Sequence, residues 1–140
     1  MKIRALVLCV SLFDQIKAIQ FLLMLALFFY LGVVEIPPKV GAQFNDLYAH
    51  ALGYFLSMFS ALVAFYSMRR FWWVVPFLWG YSLFIEVVQL ILPHRSFAFL
   101  DIVANSIGLL GGALVIAPLR HWLIRLDKYV RGIIDRIESK

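Results

Sequence analysis

Apolar residues run along this chain in four long blocks, each broken by only a few polar positions. A helix that crosses a bilayer needs about 20 mostly apolar residues at a rise of ~1.5 Å each. Four stretches meet that requirement. They are 16–34, which stops before Glu35 and the turn Pro37-Pro38; 46–68, which carries His50 and stops before Arg69-Arg70; 71–92, with Glu86 inside and Pro93 at its end; and 100–119, with Asn105 inside. Gly108, Gly111 and Gly112 fall on or near one face of the fourth, and small residues so placed let a neighbouring helix approach closely. In lipid only helices or closed barrels satisfy the backbone, and the alternating ten-residue segments of a barrel do not occur in the pattern. The pattern predicts an all-α membrane protein with four transmembrane helices.

The flanks read differently. Lys2 and Arg4 followed by an apolar run over 5–13 imitate the start of a signal peptide, but no small-x-small cleavage site follows, and Asp14 and Lys17 interrupt. Cys9 follows Val7-Leu8, which lacks the small residues expected before a lipidated cysteine. Residues 1–15 therefore read as a retained interfacial segment or the frayed start of the first span. In the tail, Trp122, Leu126, Val130, Ile133 and Ile137 recur at three- and four-residue steps, while Arg125, Lys128, Arg131, Asp135 and Arg136 fall mostly elsewhere. That is the pattern of a C-terminal amphipathic helix lying on an anionic cytoplasmic leaflet. The expected organisation is a segment 1–15, a four-helix domain 16–119 and a tail 120–140.

Composition agrees and removes other classes. Of 140 residues, 64% are hydrophobic and 15% charged, whereas a soluble domain is nearer half and a quarter. A globule of this size cannot bury so many apolar side chains, which excludes an ordinary soluble enzyme; the aromatic and branched content excludes a disordered chain. The 13 Lys and Arg against 8 Asp and Glu point to membrane lipids as partners rather than nucleic acid. A single cysteine excludes a disulfide framework within the chain. With both termini inside, eleven of the 13 Lys and Arg are cytoplasmic and only Lys39 and Arg95 face out. The positive-inside bias thus predicts an N-in/C-in topology.

That topology gives each unusual polar residue a depth. Asp46 lies at the outer rim of the second span, and His50 and Tyr54, at steps of four, lie about 6 and 12 Å below it. Gln89 and Glu86 share a face of the third span about 5 and 9 Å deep. Pro93, His94, Arg95 and Ser96 form the outer loop; Asp101 stands at the rim of the fourth span, with Asn105 one turn below. Little comparable marks the inner half. An ionised carboxylate in hydrocarbon costs several kcal/mol, so Glu86 must face protein or water with a partner, or carry a proton. Arg95 is the expected partner, with His50 and Asn105 next.

The residues also carry a family resemblance. Asp46-x3-His50-x3-Tyr54, then Glu86-x2-Gln89 leading into Pro93-x-Arg95-Ser96, then Asp101-x3-Asn105-x2-Gly108 with Gly112, resembles the VanZ-like family of small bacterial membrane proteins over roughly residues 15–118. Leu47 departs from it, since a Lys commonly follows the Asp. The resemblance implies four spans and a place in the bacterial cytoplasmic membrane. It also implies an association with resistance to teicoplanin, a glycopeptide antibiotic acting on cell-wall precursor outside the membrane. It implies a clan more than a reaction.

Simpler roles compete with functional ones. Glu86, Gln89 and Arg95 could be an internal clamp fixing the third helix against the fourth; Asp101 could cap the fourth helix; Asn105 could glue helices together. Tyr48, Tyr81, Trp72, Trp73 and Trp122 fit interfacial aromatic belts. Ser57, Ser60 and Ser67 have no base beside them and make poor nucleophiles. Asp46, His50 and Glu86 could together hold a divalent metal, but carboxylate-x3-His spacing is common, and no metal or cofactor is expected.

Two functions follow. The first is binding: Asp46, His50, Tyr54, Glu86, Gln89, Arg95, Ser96, Asp101 and Asn105 ring an outward cavity that holds an envelope lipid or cell-wall precursor, or seats a partner protein. The second is a membrane enzyme using Glu86 and His50 as acid and base on a lipid-linked substrate. A transporter is disfavoured, because no inverted repeat and no polar path through the inner half can be read.

Overall fold

The computed structural model describes residues 2–34, 42–93 and 97–138. They form α1 (Lys2–Val33), α2 (Ala42–Phe65), a short 3-10 turn (Phe71–Trp73), α3 (Val74–Gln89) and α4 (Phe99–Glu138), with no strand among the described residues. Four segments are long and apolar enough to cross a membrane: Gln15–Val33, Asp46–Phe65, Phe71–Gln89 and Phe99–Ile133.

The contacts between helices fix their directions. Gln20 meets Ser60 and the Phe28 ring meets Tyr54, so α1 and α2 are antiparallel. Tyr81 reaches Leu25 and Gln89 reaches Gly32, so α1 and α3 are parallel. His50 meets Asn105, Gly108 meets Ala51 and Gly112 meets Phe55, so α2 and α4 are parallel. Each helix reverses the one before it. The end of α1, the start of α2, the end of α3 and the start of α4 therefore meet at one end of the bundle, the site end below.

α2 and α4 form the closest pair. A Cβ on Gly108 would strike the carbonyl oxygen of Ala51, and one on Gly112 would stand 2.8 Å from Phe55 O and 2.9 Å from Met58 Cβ. Glycines four apart make a groove into which the α2 backbone sinks, the small-xxx-small device of membrane helices. Around this contact Met58, Ala61, Leu62, Phe71, Leu78, Leu109 and Ile116 form the dry core. Outside it, large apolar side chains face outward on every helix, including Leu22, Leu23, Val63, Val87, Ile107 and Leu114. A soluble monomer does not expose so continuous an apolar surface, whereas lipid solvates it.

Of the two readings of the N-terminal segment, the helix follows the second: α1 runs unbroken from Lys2 through the first span. Two other boundaries differ from the sequence expectation. The second span stops at Phe65 rather than 68, because residues 66–70 turn through Met68 N to Phe65 O and Phe71 N to Met68 O bonds. The tail is helical but is not detached; α4 passes through Pro118 without a break and runs for 40 residues, about 60 Å at ~1.5 Å per residue. That is about twice the ~30 Å hydrocarbon thickness, so α4 outruns any membrane it crosses. Pro118 has no N–H to give to the preceding turn, yet one lost bond does not end a helix packed on both sides of it: Ile116 is fully buried and Leu123 still packs on the core. Beyond that, Leu126, Tyr129, Val130 and Ile133 are exposed, and Arg131 pairs with Asp127 at 2.9 Å.

Candidate functional site

Four helices supply the site end. The stripe Asp46, His50 and Tyr54 comes from α2 because positions four apart share a face. By the same spacing Ser82, Glu86 and Gln89 come from α3, and Asp101 and Asn105 from α4. α1 contributes Phe28, Leu31 and the backbone of Gly32. Together, α1, α2, α3 and α4 enclose a cavity of about 210 Å³ whose wall includes Asp46, His50, Tyr54, Ser82, Glu86, Gln89 and Asn105.

A relay of hydrogen bonds crosses the bundle beside it. Asn105 Nδ2 donates to Ser82 Oγ at 2.6 Å, and Asn105 Oδ1 lies 3.0 Å from His50 Nδ1. A carbonyl oxygen only accepts, so Nδ1 of His50 carries the hydrogen and donates it. The relay thereby holds the ring with Nε2 turned toward the acids: Asp101 Oδ2 lies 3.7 Å away and Asp46 Oδ1 3.9 Å. Both separations exceed hydrogen-bond length. The Asp46 side chain is 55% exposed, His50 24% and Asp101 15%, so the group forms a graded mouth. Deeper in, Glu86 is only 1% exposed, and its Oε2 accepts from Ala98 N at 3.3 Å just before α4. Gln89 Nε2 donates to Gly32 O at 3.0 Å.

Six of the residues expected from sequence thus line one cavity: Asp46, His50, Tyr54, Glu86, Gln89 and Asn105. Asp101 stands beside His50. Arg95 and Ser96, with the expected Glu86–Arg95 pair, lie outside the described residues.

Several assignments change. The alternative role, a clamp of the third helix on the fourth, divides in two, with Glu86 tying α3 to the segment before α4 and Gln89 tying it to α1. Asp101 is not the cap residue; α4 begins at Phe99, and the Asp101 carboxylate sits in the first turn near His50, where the helix dipole still favours it. Tyr81 belongs to no interfacial belt. It lies mid-helix and donates to Leu25 O at 2.6 Å. Asn105 does glue helices, and through His50 it does more. Ser57 and Ser60 are spent on hydrogen bonds to Tyr54 O and Gln20 Oε1.

Sequence reading missed Ser82, the second station of the relay, though its position one turn before Glu86 was a usable signal. It also missed the backbone of Gly32, which no side-chain pattern could reveal.

Against known proteins, the family model VanZ/LLP1 matches residues 6–123, and the chain belongs to that family. Neither the curated proteins nor the solved structures contain a match to this chain. With four membrane-length apolar helices, the chain is a multi-pass membrane protein of VanZ type.

Proposed function

Taking VanZ/LLP1 membership as the premise, we propose that this is a bacterial cytoplasmic-membrane protein, N-in/C-in, whose cavity opens to the extracytoplasmic side and holds the headgroup of an envelope lipid or lipid-linked cell-wall precursor. One observation carries the reading: seven polar side chains of α2, α3 and α4 converge on one cavity at one end of the bundle. Intramembrane ionisable groups are costly, and their default explanation is a functional site. The volume narrows the ligand. A volume of about 210 Å³ accommodates a phosphate-sized headgroup, while the remainder of a precursor would stay in lipid or solvent. Retention of a precursor at this site is the route by which such a protein would bear on glycopeptide action.

Photo-crosslinking with headgroup-matched lipid analogues in intact membranes tests the reading. Glu86→Gln and Arg95→Gln should each lower capture by about tenfold, the effect of one lost charge-assisted contact; unchanged capture in both would overturn it. Capture of a membrane protein instead would make the cavity a partner seat.

Glu86 and His50 line the same cavity, which gives an enzymatic reading its one specific support. Turnover of an outer-leaflet substrate by purified protein, abolished by Glu86→Gln, would establish it.

A further inference from the structure

The cavity has two unlike walls. His50, Ser82, Glu86, Gln89 and Asn105 line one side; Phe28, Leu31 and Gly32 of α1, with Ala49 and Gly53 of α2, line the other and offer no polar side chain. We propose that an acyl chain of an outer-leaflet phospholipid leaves the cavity sideways through this apolar wall, between Leu31 and Ala49, and lies in the groove between α1 and α2. This rests on the headgroup reading above and names its ligand, a lipid that enters from the bilayer rather than from solvent.

The seams between neighbouring helices decide where a chain can pass. Between α2 and α4, Gly108 leaves no room beside the Ala51 carbonyl. Between α3 and α4, Asn105 Nδ2 donates to Ser82 Oγ, and Glu86 Oε2 accepts from Ala98 N. Between α1 and α3, a Cβ on Gly32 would stand 2.6 Å from Ile85 Cγ2, and Gln89 Nε2 donates to Gly32 O. The cavity residues of these closed seams, Ser82, Ile85, Glu86, Gln89 and Asn105, are all buried. The way toward the bundle centre is blocked as well. There the Phe28 ring lies 5.4 Å from the buried Tyr54 ring, which packs into the dry core with Met58 and Leu62. The α1–α2 seam differs. Leu31 is 45% exposed and Ala49 is exposed, although both line the cavity. The opening is therefore at this seam.

Helical spacing carries that opening into a groove. Leu27 and Leu31 share a face of α1, as Ala49, Gly53 and Leu56 share one of α2. Leu27 and Leu56 are both more than half exposed. The groove ends where the Gln20–Ser60 ring ties the two helices, eleven residues from Leu31 on α1 and eleven from Ala49 on α2. Eleven residues span about 16 Å at ~1.5 Å each. That is half of the ~30 Å hydrocarbon core, the depth of one leaflet. An acyl chain fits this length, and a long polyprenyl chain would overrun it. Moving a chain from lipid into an apolar groove gains no hydrophobic energy. The headgroup therefore holds the lipid, and the groove sets the direction in which its chain runs.

The test uses the full-length protein in vesicles of phosphatidylglycerol and phosphatidylethanolamine, with a trace of phosphatidylglycerol carrying a diazirine on one acyl chain. After photolysis, mass spectrometry maps the label. Wild type should carry more label at Leu27, Leu31 and Leu56 than at Leu114, although Leu114 on α4 is 77% exposed. Ala49→Trp, and Leu31→Trp from the other side, fill the portal. Each should lower both groove label and headgroup capture by about tenfold or more, the factor that forcing bulk into an occupied space costs. Leu114→Trp should change neither. Both portal positions are exposed, so thermal melting should find the variants folded, and either one alone suffices for the test. Label at Leu114 equal to that in the groove, or capture undiminished in both portal variants, would overturn the portal while leaving the headgroup reading in place. Groove label that survives Glu86→Gln would support the portal and sink the headgroup reading. Displacement of the phospholipid from the groove by a polyprenyl phosphate would overturn the acyl assignment.

Discussion

At the end of the bundle away from the site, Gln20 Nε2 donates to Ser60 O at 2.9 Å while Ser60 Oγ donates back to Gln20 Oε1 at 2.8 Å. At the site end, Ser82, Asn105 and His50 form a relay of similar bond lengths, yet it runs out at His50 Nε2, facing Asp46 and Asp101 beyond hydrogen-bond reach. The first arrangement closes on itself and carries no ionisable group. The second is open and ends in a cavity among acids. Polar side chains inside an apolar bundle therefore do two jobs, and closure tells them apart: a closed ring joins helices, and an open relay presents an atom to something else. Arg120 likewise ties elements together away from the site. Its Nη2 donates to Met68 O at 2.9 Å and its guanidinium lies 4.8 Å over the Phe71 ring, which meets its charge where Nε is buried without a partner among the described residues.

The largest way to break the comparison is to separate the helices that hold the relay. Gly108→Ala drives a methyl into Ala51 O, a backbone atom that cannot rotate aside, and should cost about 3 kcal/mol or more of stability. Thermal melting in detergent reads it. Gly111→Ala is the control, because its Cβ would meet only the Phe55 ring at 3.6 Å, and it should be neutral or stabilising by up to ~1 kcal/mol. Equal losses in both would mean that the groove at Gly108 is not what seats α2 on α4.

Next in size is Asn105→Leu, which strands a donor on His50 and the hydroxyl of Ser82. Leaving buried polar groups unpaired costs about 1–3 kcal/mol. The same variant should shift the ring resonances of His50 in a nuclear magnetic resonance spectrum; unmoved resonances would show that the relay does not hold the ring.

The smallest effect belongs to the closed ring. Gln20→Leu should cost about 0.6 kcal/mol, the average for a side-chain hydrogen bond between membrane helices, since Ser60 can turn back to its own helix. It should leave lipid capture unchanged. A loss of capture comparable to that of Glu86→Gln would erase the distinction between the two ends.

Much of the site was legible before folding, for a plain reason. Helical spacing of three and four places Asp46 with His50 and Tyr54, Glu86 with Gln89, and Asp101 with Asn105 on shared faces. What the sequence left open is where one helix meets another. Gln89, weighed as part of a clamp on the fourth helix, binds the α1 backbone; and Asp101 stands beside Asp46 and His50, where only Glu86 had been weighed as a third member. The end away from the site was expected to hold little comparable, and it holds the Gln20–Ser60 ring, invisible because neither residue is charged and they are 40 positions apart.

The sequence by itself determined that the chain is helical, that four segments match the thickness of a bilayer, and that polar residues gather on certain helix faces. Those are properties of composition and period, which act within one helix. Tertiary structure decided which faces meet, because rotation and axial offset depend on how side chains interlock. Gly108 and Gly112 let α2 sink into α4, and that depth brings Asn105 level with His50. Once α2 and α4 are so seated, Nε2 of His50 has its direction, toward the acids at the cavity mouth.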